Sequence, residues 1–226
     1  MKILAISDLH ICADKSLDKF QWLDSEFIKK IERYRGLYKI DFVVIAGDIY
    51  EMYFFDEKEI KEKNSYLYSF IENTPWIVCL KGNHDRLTGN DDKVVFDKVY
   101  FEHGHKGDIY GIPIVNVIVD SLHKILDFFN RYIPILKKIY ISKYRKYMED
   151  YEGEGAKDSL RVLKRALKLL EKYDMVVMGH THIQQTLSFN FKNNKKIYVN
   201  TGTCSNHRFE GAVIDTETLK VELIKE

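Results

Sequence analysis

KILAISDLH, residues 2–10, opens as a continuous apolar run of strand length and stops at an Asp-x-His. DFVVIAGD (41–48) repeats the form, with the run closed by Gly47 and Asp48. WIVCLKGN (76–83) gives it a third time and DMVVMGHTH (174–182) a fourth. Short runs without polar alternation are buried on both faces, as the interior strands of an α/β sheet are. Helical spacing fills the gaps. Phe20, Leu23, Phe27, Ile28 and Ile31 form one stripe, and Ile60, Tyr66, Leu67, Phe70 and Ile71 a looser one. Strand and helix in alternation predict a parallel or mixed sheet wrapped by helices.

Downstream the pattern changes. Residues 117–148 mix Ile, Leu, Phe and Tyr with lysine and arginine, and Pro134 reads as a break between helices. EGEG (152–155) reads as a hinge, and SLRVLKRALKLLEK (159–172) as an amphipathic helix feeding the fourth strand. TLSFNF and IYVNTG flank a hairpin turn around Asn193-Asn194. GAVIDTETLKVELI predicts a second hairpin, turning at Asp215 to Thr218.

Composition narrows the class. With 226 residues the chain can bury a sizeable core, as one domain or one domain with an insertion. Lysine plus arginine is 35 against 34 aspartate plus glutamate, a balance that argues against a broad nucleic-acid footprint. No stretch approaches the roughly 18 consecutive apolar residues of a membrane span. The start lacks a signal-peptide pattern, and Cys12, Cys79 and Cys204 have no disulfide or zinc-knuckle spacing. The expected location is the cytoplasm.

Each apolar run ends in metal-ligand residue types: Asp8 and His10, Asp48, Asn83 and His84, His180 and His182. A fifth strand-like run, VVFDKVYFEHGH (94–105), ends in His103 and His105. Six of the eight histidines fall in these places, where chance would scatter them. In open α/β sheets the carboxyl ends of strands are where ligands bind. A carboxylate, imidazole and amide set without thiolate suits manganese, iron or zinc better than a closed structural zinc site. The donors are too many for one ion. A carboxylate bridging two ions about 3.5–4 Å apart meets the count, and Asp48, at the middle strand end, is the natural bridge.

The series Asp8-Leu-His10, Gly47-Asp48-Ile-Tyr-Glu51, Gly82-Asn83-His84-Asp85, His103-Gly-His105 and Gly179-His180-Thr-His182 resembles the calcineurin-like metallophosphoesterase family, in the family's order. The resemblance implies a two-sheet αββα sandwich with metals at the strand ends and an opposing sheet for the C-terminal strands. Residues 1–107 and 159–226 would form this domain, and 108–158 a helical insertion serving as a lid. It implies one divalent ion on Asp8, His10, Asp48 and His182, and a second on Asp48, Asn83, His103 and His180. Manganese is the expected metal, with iron, zinc, nickel or cobalt as alternatives. His84 would be the general acid or transition-state stabiliser, with Asp85 accepting its other N–H and fixing the tautomer. A hydroxide bridging the ions would hydrolyse a phosphoester or pyrophosphate bond, with Asn83 and Arg86 facing the phosphate.

Other residues carry weaker signals. His105 reads as a pocket-edge group, and Glu51 as either a substrate contact or a group behind the ligands. His207 and Arg208 are open to approaching the site or to being ordinary loop. Asn200 and Gly202 read as turn residues, Cys79 as core, and His123 as packing within the insertion. Cys12 lies close to the first metal-binding turn.

From Arg131 to Lys172 there are twelve basic against six acidic residues, interleaved with Leu, Ile, Phe and Tyr. Such a segment packs its own apolar stripe, or forms a basic, greasy lid for an anionic amphiphile or a membrane surface. In this respect the chain is similar to the UDP-2,3-diacylglucosamine pyrophosphatases, although those carry arginine where this chain has His84. The expected partner is a phosphorylated small molecule or lipid-linked substrate, with peripheral contact at the inner membrane face and no nucleic acid. A cyclic-nucleotide or nucleic-acid phosphodiesterase and a non-catalytic scaffold of the same fold are the alternatives.

Overall fold

Strand β1 (Lys2–Ile6) sends alternate side chains to two different apolar clusters. Ile3 and Ala5 face one, Leu4 and Ile6 the other, which is why its sequence shows no polar alternation. The computed structural model describes residues 1–15, 17–53, 55–107, 117, 121, 155–191 and 194–226. Strands β2 (Phe42–Ala46) and β3 (Ile77–Leu80) follow in parallel beside β1. Strands β4 (Lys93–Phe96), β5 (Val99–Glu102), β6 (Met175–Met178), β7 (Gln185–Phe191) and β8 (Asn194–Asn200) build a second sheet in the order β4-β5-β6-β8-β7. Strands β9 (Glu210–Asp215) and β10 (Lys220–Lys225) complete the first, in the order β10-β9-β1-β2-β3.

The two sheets meet through Ile3, Ala5, Val44 and Ala46 on one side and Phe101, Val177 and Val199 on the other. Helices α1 (Asp24–Tyr38), α2 (Glu57–Lys63) and α3 (Ser65–Asn73) cover the outer face of the first sheet. Helix α4 (Gly155–Leu170) covers the second, with Val162, Ala166 and Leu170 against Tyr100, Val176, Met178 and Tyr198. Those three helical positions are four residues apart and so share a face. The layers are therefore αββα, as expected. Local signals agree: Asp56 and Glu59 make a reciprocal capping box on α2. Lys39, in the left-handed region at φ 54°, ends α1.

Five details differ from the sequence reading. The fourth apolar run, β6, pairs with β5 and β8 in the second sheet, not with the first three runs. The run 94–105 is a hairpin, not one strand, because Asp97 turns left-handed at φ 54° between β4 and β5. The C-terminal strands divide: β7 and β8 stay in the second sheet, while β9 and β10 return to the first, antiparallel beside β1. Phe20 and Leu23 precede α1, and Phe20 packs edge-on against Phe27 from the loop. Helix α4 begins at Gly155, inside the segment assigned to the insertion. The lid expected over 108–158, its His123 and the turn residue Asn193 otherwise lie outside the described residues.

Candidate metal centre

Five loops leave the carboxyl ends of β1, β2, β3, β5 and β6 at one pole of the sandwich, and each carries its predicted donors there. Asp8, His10, Asp48, His180 and His182 have φ of 57°, 54°, 52°, 71° and 56°. Left-handed backbone is uncommon for such residues and costs about 1–3 kcal/mol where the surroundings must enforce it. Main-chain bonds do the enforcing. Asp8 N donates to Gly47 O at 3.1 Å, His10 N to Asp48 O at 3.0 Å, and Ile11 N to Ile49 O at 2.9 Å, so the first two loops run as a bonded pair. Behind them, Thr203 Oγ1 donates to Asp8 O (2.8 Å), Cys204 N to Ser7 O (3.0 Å) and Asn200 Nδ2 to Gly179 O (2.6 Å). Glycine is required at two close approaches. A Cβ on Gly82 would overlap the Asp48 carboxylate, and one on Gly179 would overlap Ser7 and Asp8.

The side chains converge. Three groups have donor atoms mutually within 4.8 Å: Asp8, His10 and His182; Asp48, His103 and His180; and His10, Asp48 and His84. His182 Nε2 lies 3.1 Å from Asp8 Oδ1, and His103 Nε2 lies 3.2 Å from both Asp48 Oδ2 and Asn83 Oδ1. His10 Nε2 and His182 Nε2 face each other at 3.3 Å. Asp8 Oδ1 is buried and accepts no hydrogen bond of sound geometry, despite three imidazole nitrogens at 3.1–4.0 Å. Buried carboxylate oxygens in folded proteins are as a rule satisfied. An unsatisfied oxygen ringed by imidazoles is what a site for a divalent cation leaves when only the protein is considered, so the donor set fits metal.

The acid candidate is held differently from expectation. His84 Nδ1 lies 2.9 Å from Glu51 Oε1, leaving Nε2 on the side of Asp48 Oδ2 at 3.9 Å. Asp85 does not orient that imidazole. Its Oδ1 accepts from Gly82 N (2.6 Å) and its Oδ2 from Ile49 N (2.7 Å), which ties the third loop to the second. Asp85 is a structural clasp, because three backbone N–H groups, Tyr50's included, converge where the carboxylate sits. Glu51 takes the orienting position and also stands 3.4 Å from His10 Nδ1.

Electrostatics follow from burial and neighbours. Burial opposes charge on Asp8 and Asp48, yet the imidazoles of His182 and His103 outweigh it and hold both carboxyls well below their usual range. Burial would lower His103, but Asp48 and Asp8 raise it to about 10. His10 is the reverse: burial wins over Glu51 and lowers it to about 4. Burial also opposes protonation of His84, where Glu51 and Asp48 prevail and raise it. His105 stands beside the cluster, its ring 5.5 Å from His103, in none of the donor groups, and burial pushes it down to about 2.

Of the remaining candidates, Arg86 is half-buried on the turn after Asp85, Cys79 is half-buried against the core, and His207 is exposed with its ring 5.9 Å from Trp22. The Cys12 thiol is buried and raised to about 12, far from reactive. Sequence reasoning left Glu51 open between two roles and missed Tyr53, whose hydroxyl accepts from Asn83 Nδ2 at 3.2 Å and whose ring lies 4.1 Å from that of His84. The signal for Glu51 was its place three residues after Asp48; Tyr53 had none.

The chain matches the calcineurin-like phosphoesterase family over residues 1–184. No curated protein matches it. Similar solved structures include an archaeal phosphodiesterase, 19% identical with a TM-score of 0.48 over 100% of both chains. Another is a predicted phosphoesterase from Streptococcus pneumoniae, 16% identical with a TM-score of 0.42 over 100% of this chain and 97% of that one. A Thermotoga maritima protein is 16% identical, with a TM-score of 0.40 over 100% and 98%. With every donor of the cluster inside the matched residues, the chain belongs to the calcineurin-like phosphoesterase family and is a metal-dependent phosphohydrolase.

Proposed function

We propose that the protein hydrolyses a phosphodiester or pyrophosphate bond with two divalent ions, manganese first among the candidates. Asp8, His10, Asp48 and His182 would hold one ion, and Asp48, Asn83, His103 and His180 the other. The observation that carries this reading is the presence of two separate donor groups, Asp8 with His10 and His182 and Asp48 with His103 and His180, whose two carboxylates are buried from water. Such a pair of ions supplies charge neutralisation for phosphoryl oxygens and brings the pKa of a bound water toward neutrality.

The protein's own residues do the rest. His84, engaged by Glu51 at Nδ1, keeps Nε2 toward the centre and can deliver a proton to the leaving oxygen. Bound cations would draw its pKa down, and the Glu51 carboxylate, which raises it, opposes that pull. Asn83 lends a neutral oxygen while Tyr53 fixes its amide, which leaves the local charge to the carboxylates. A scaffold without catalysis is disfavoured, because every donor position and the acid are filled.

The expected substrate is a phosphorylated small molecule or a lipid-linked one, met in the cytoplasm or at the inner membrane face. No helix among the described residues is long and apolar enough to cross a membrane. Metal content by elemental mass spectrometry, followed by a panel of monoesters, diesters and pyrophosphates, tests the reading. Two ions per chain with diester or pyrophosphate turnover is the expected result. One ion or none at saturation, or no turnover with any divalent metal, would overturn it.

A further inference from the structure

The loop Asn200–Arg208 leaves β8 behind the Asp8 and Gly179 turns, bonded to them through Asn200, Thr203 and Cys204, and reaches His182 at its far end. Asn206 and His207 are left-handed, at φ 53° and 56°, and Arg208 N bonds back to Ser205 O at 3.0 Å. This turn brings Arg208 beside His182. One terminal nitrogen of the guanidinium donates to the His182 main-chain oxygen at 3.1 Å and to Glu210 Oε2 at 2.7 Å. Glu210 is wholly buried, accepts from Thr203 N at 3.3 Å, and is backed so closely by Gly202 that a Cβ there would overlap it. The carboxylate cannot swing, so the guanidinium it holds is aimed. Both hydrogens of that nitrogen are used. Nε and the other terminal nitrogen have no partner among the described residues, and the side chain is 43% exposed. His182, whose backbone it grips, is itself 35% exposed and is the donor open to solvent on this side.

Arg208 is the hydrogen-bonded counter-ion of Glu210; Lys225 Nζ stands 3.2 Å from the other carboxylate oxygen, which accepts no hydrogen bond of sound geometry. That pairing uses one terminal nitrogen of the guanidinium and does not account for the rest of the fork. A cation fixed beside a seat for divalent cations is repelled by them unless an anion lies between. A half-open guanidinium edge matches one partner best, a tetrahedral oxyanion taken by two N–H groups. Lys19, whose main-chain oxygen accepts from Asn206 N at 2.6 Å, adds positive charge that acts on His84 and lowers its pKa.

We propose that Arg208 forms a second anion subsite at the mouth of the metal centre, which takes a phosphoryl group neighbouring the one under attack. The substrate class is then a phosphoanhydride: water adds across P–O–P, one phosphorus gains the water oxygen, and the bridging oxygen leaves with the other phosphorus and a proton. This deepens the phosphohydrolase reading above and rests on it.

The test compares two ligands that differ by one phosphoryl, the uncleavable α,β-methylene analogue of adenosine diphosphate and adenosine monophosphate. Each is titrated calorimetrically into metal-loaded protein. The native chain should prefer the diphosphonate by about 10–100-fold, the strength of a charge-assisted pair. Arg208→Lys, which keeps the charge near Glu210 and loses the fork, should cut that preference to about threefold or less. Monophosphate affinity, metal content and Tm should stay at native levels. An unchanged preference overturns the proposal, and so does an equal weakening of both ligands or a loss of metal. If Arg208→Lys does not fold, Arg208→Met with Glu210→Leu removes the ion pair together and carries the same comparison. Absence of any phosphohydrolase turnover in the native chain would instead count against the parent reading, since binding is measured independently of it.

Discussion

The two halves of the donor cluster are built from the same residue types but differ in what stands behind the imidazoles. In one half, His10 turns Nδ1 toward the Glu51 carboxylate at 3.4 Å, and its companion His182 is a third exposed. In the other, His103 is wholly buried and bonds through Nδ1 to the main-chain oxygen of Ala46 at 2.8 Å. A side-chain partner can be altered by mutation and a solvent-facing ligand can exchange. A backbone partner inside a sheet can do neither. The first half is therefore the adjustable one and the second the fixed one, with Asp48 between them. His10 and His84 share Glu51, so the adjustable half is also the one wired to the acid.

The largest effect should come from the residue common to both halves. Asp48→Ala is expected to release both ions and bring turnover to background, read by metal content and activity together. One ion retained at full occupancy would show that the halves are independent. Next comes His84→Gln, expected to keep both ions while turnover falls about 10²–10⁴-fold, the range for a lost general acid. Turnover within threefold of native would remove His84 from the chemistry, and loss of an ion would make it a ligand, as its place beside His10 and Asp48 allows.

These expectations show which parts were legible in the sequence and which were not. Donors at strand ends were legible because an apolar run has to end where the sheet ends, and a His or Asp there has to lie at the pole. That reading needed no knowledge of partners in space. The orienting residue was not legible. Asp85 is adjacent to His84 in sequence and was the natural choice, but adjacent side chains on a tight turn point apart. Asp85 turns inward to three N–H groups, and Glu51, 33 residues away, reaches the imidazole instead. The left-handed turn at Asp48 makes that reach possible, and such a φ at aspartate leaves no mark in composition. The same applies to Asp97, which splits an apparently single strand, and to β9, whose apolar run suits either sheet equally well.

Glu51→Gln sharpens the comparison, because it touches only the adjustable half. Loss of the carboxylate should weaken binding of the first ion and lower turnover, each by about 10–100-fold, as removal of a group behind metal ligands does. The second ion should bind as before, since His103 leans on Ala46. The alkaline limb of the rate profile, where the acid loses its proton, should also move to lower pH, because Glu51 raises the pKa of His84. Equal weakening of both ions would mean that the halves are not separately supported.

The smallest effect distinguishes the halves by protons alone. In the metal-free protein His103 titrates near 10, above its ordinary value of 6.5, so at neutral pH it carries a proton that an ion must displace. That proton stabilises the fold fully below pH 6.5, and the contribution fades as pH rises through 10. Ion binding runs the other way: from pH 6.5 to 8.5 the second ion should gain about tenfold in affinity per pH unit from His103. His10, lowered to about 4, is already neutral across this window and adds no slope to the first. Titrating metal at several pH values, with proton release counted at each, measures both. His103→Asn retains an oxygen donor with nothing to release, and so should flatten the second ion's dependence while leaving the first ion's unchanged. A slope that survives this substitution would place the displaced proton elsewhere and erase the contrast between a fixed, protonated half and an adjustable, neutral one.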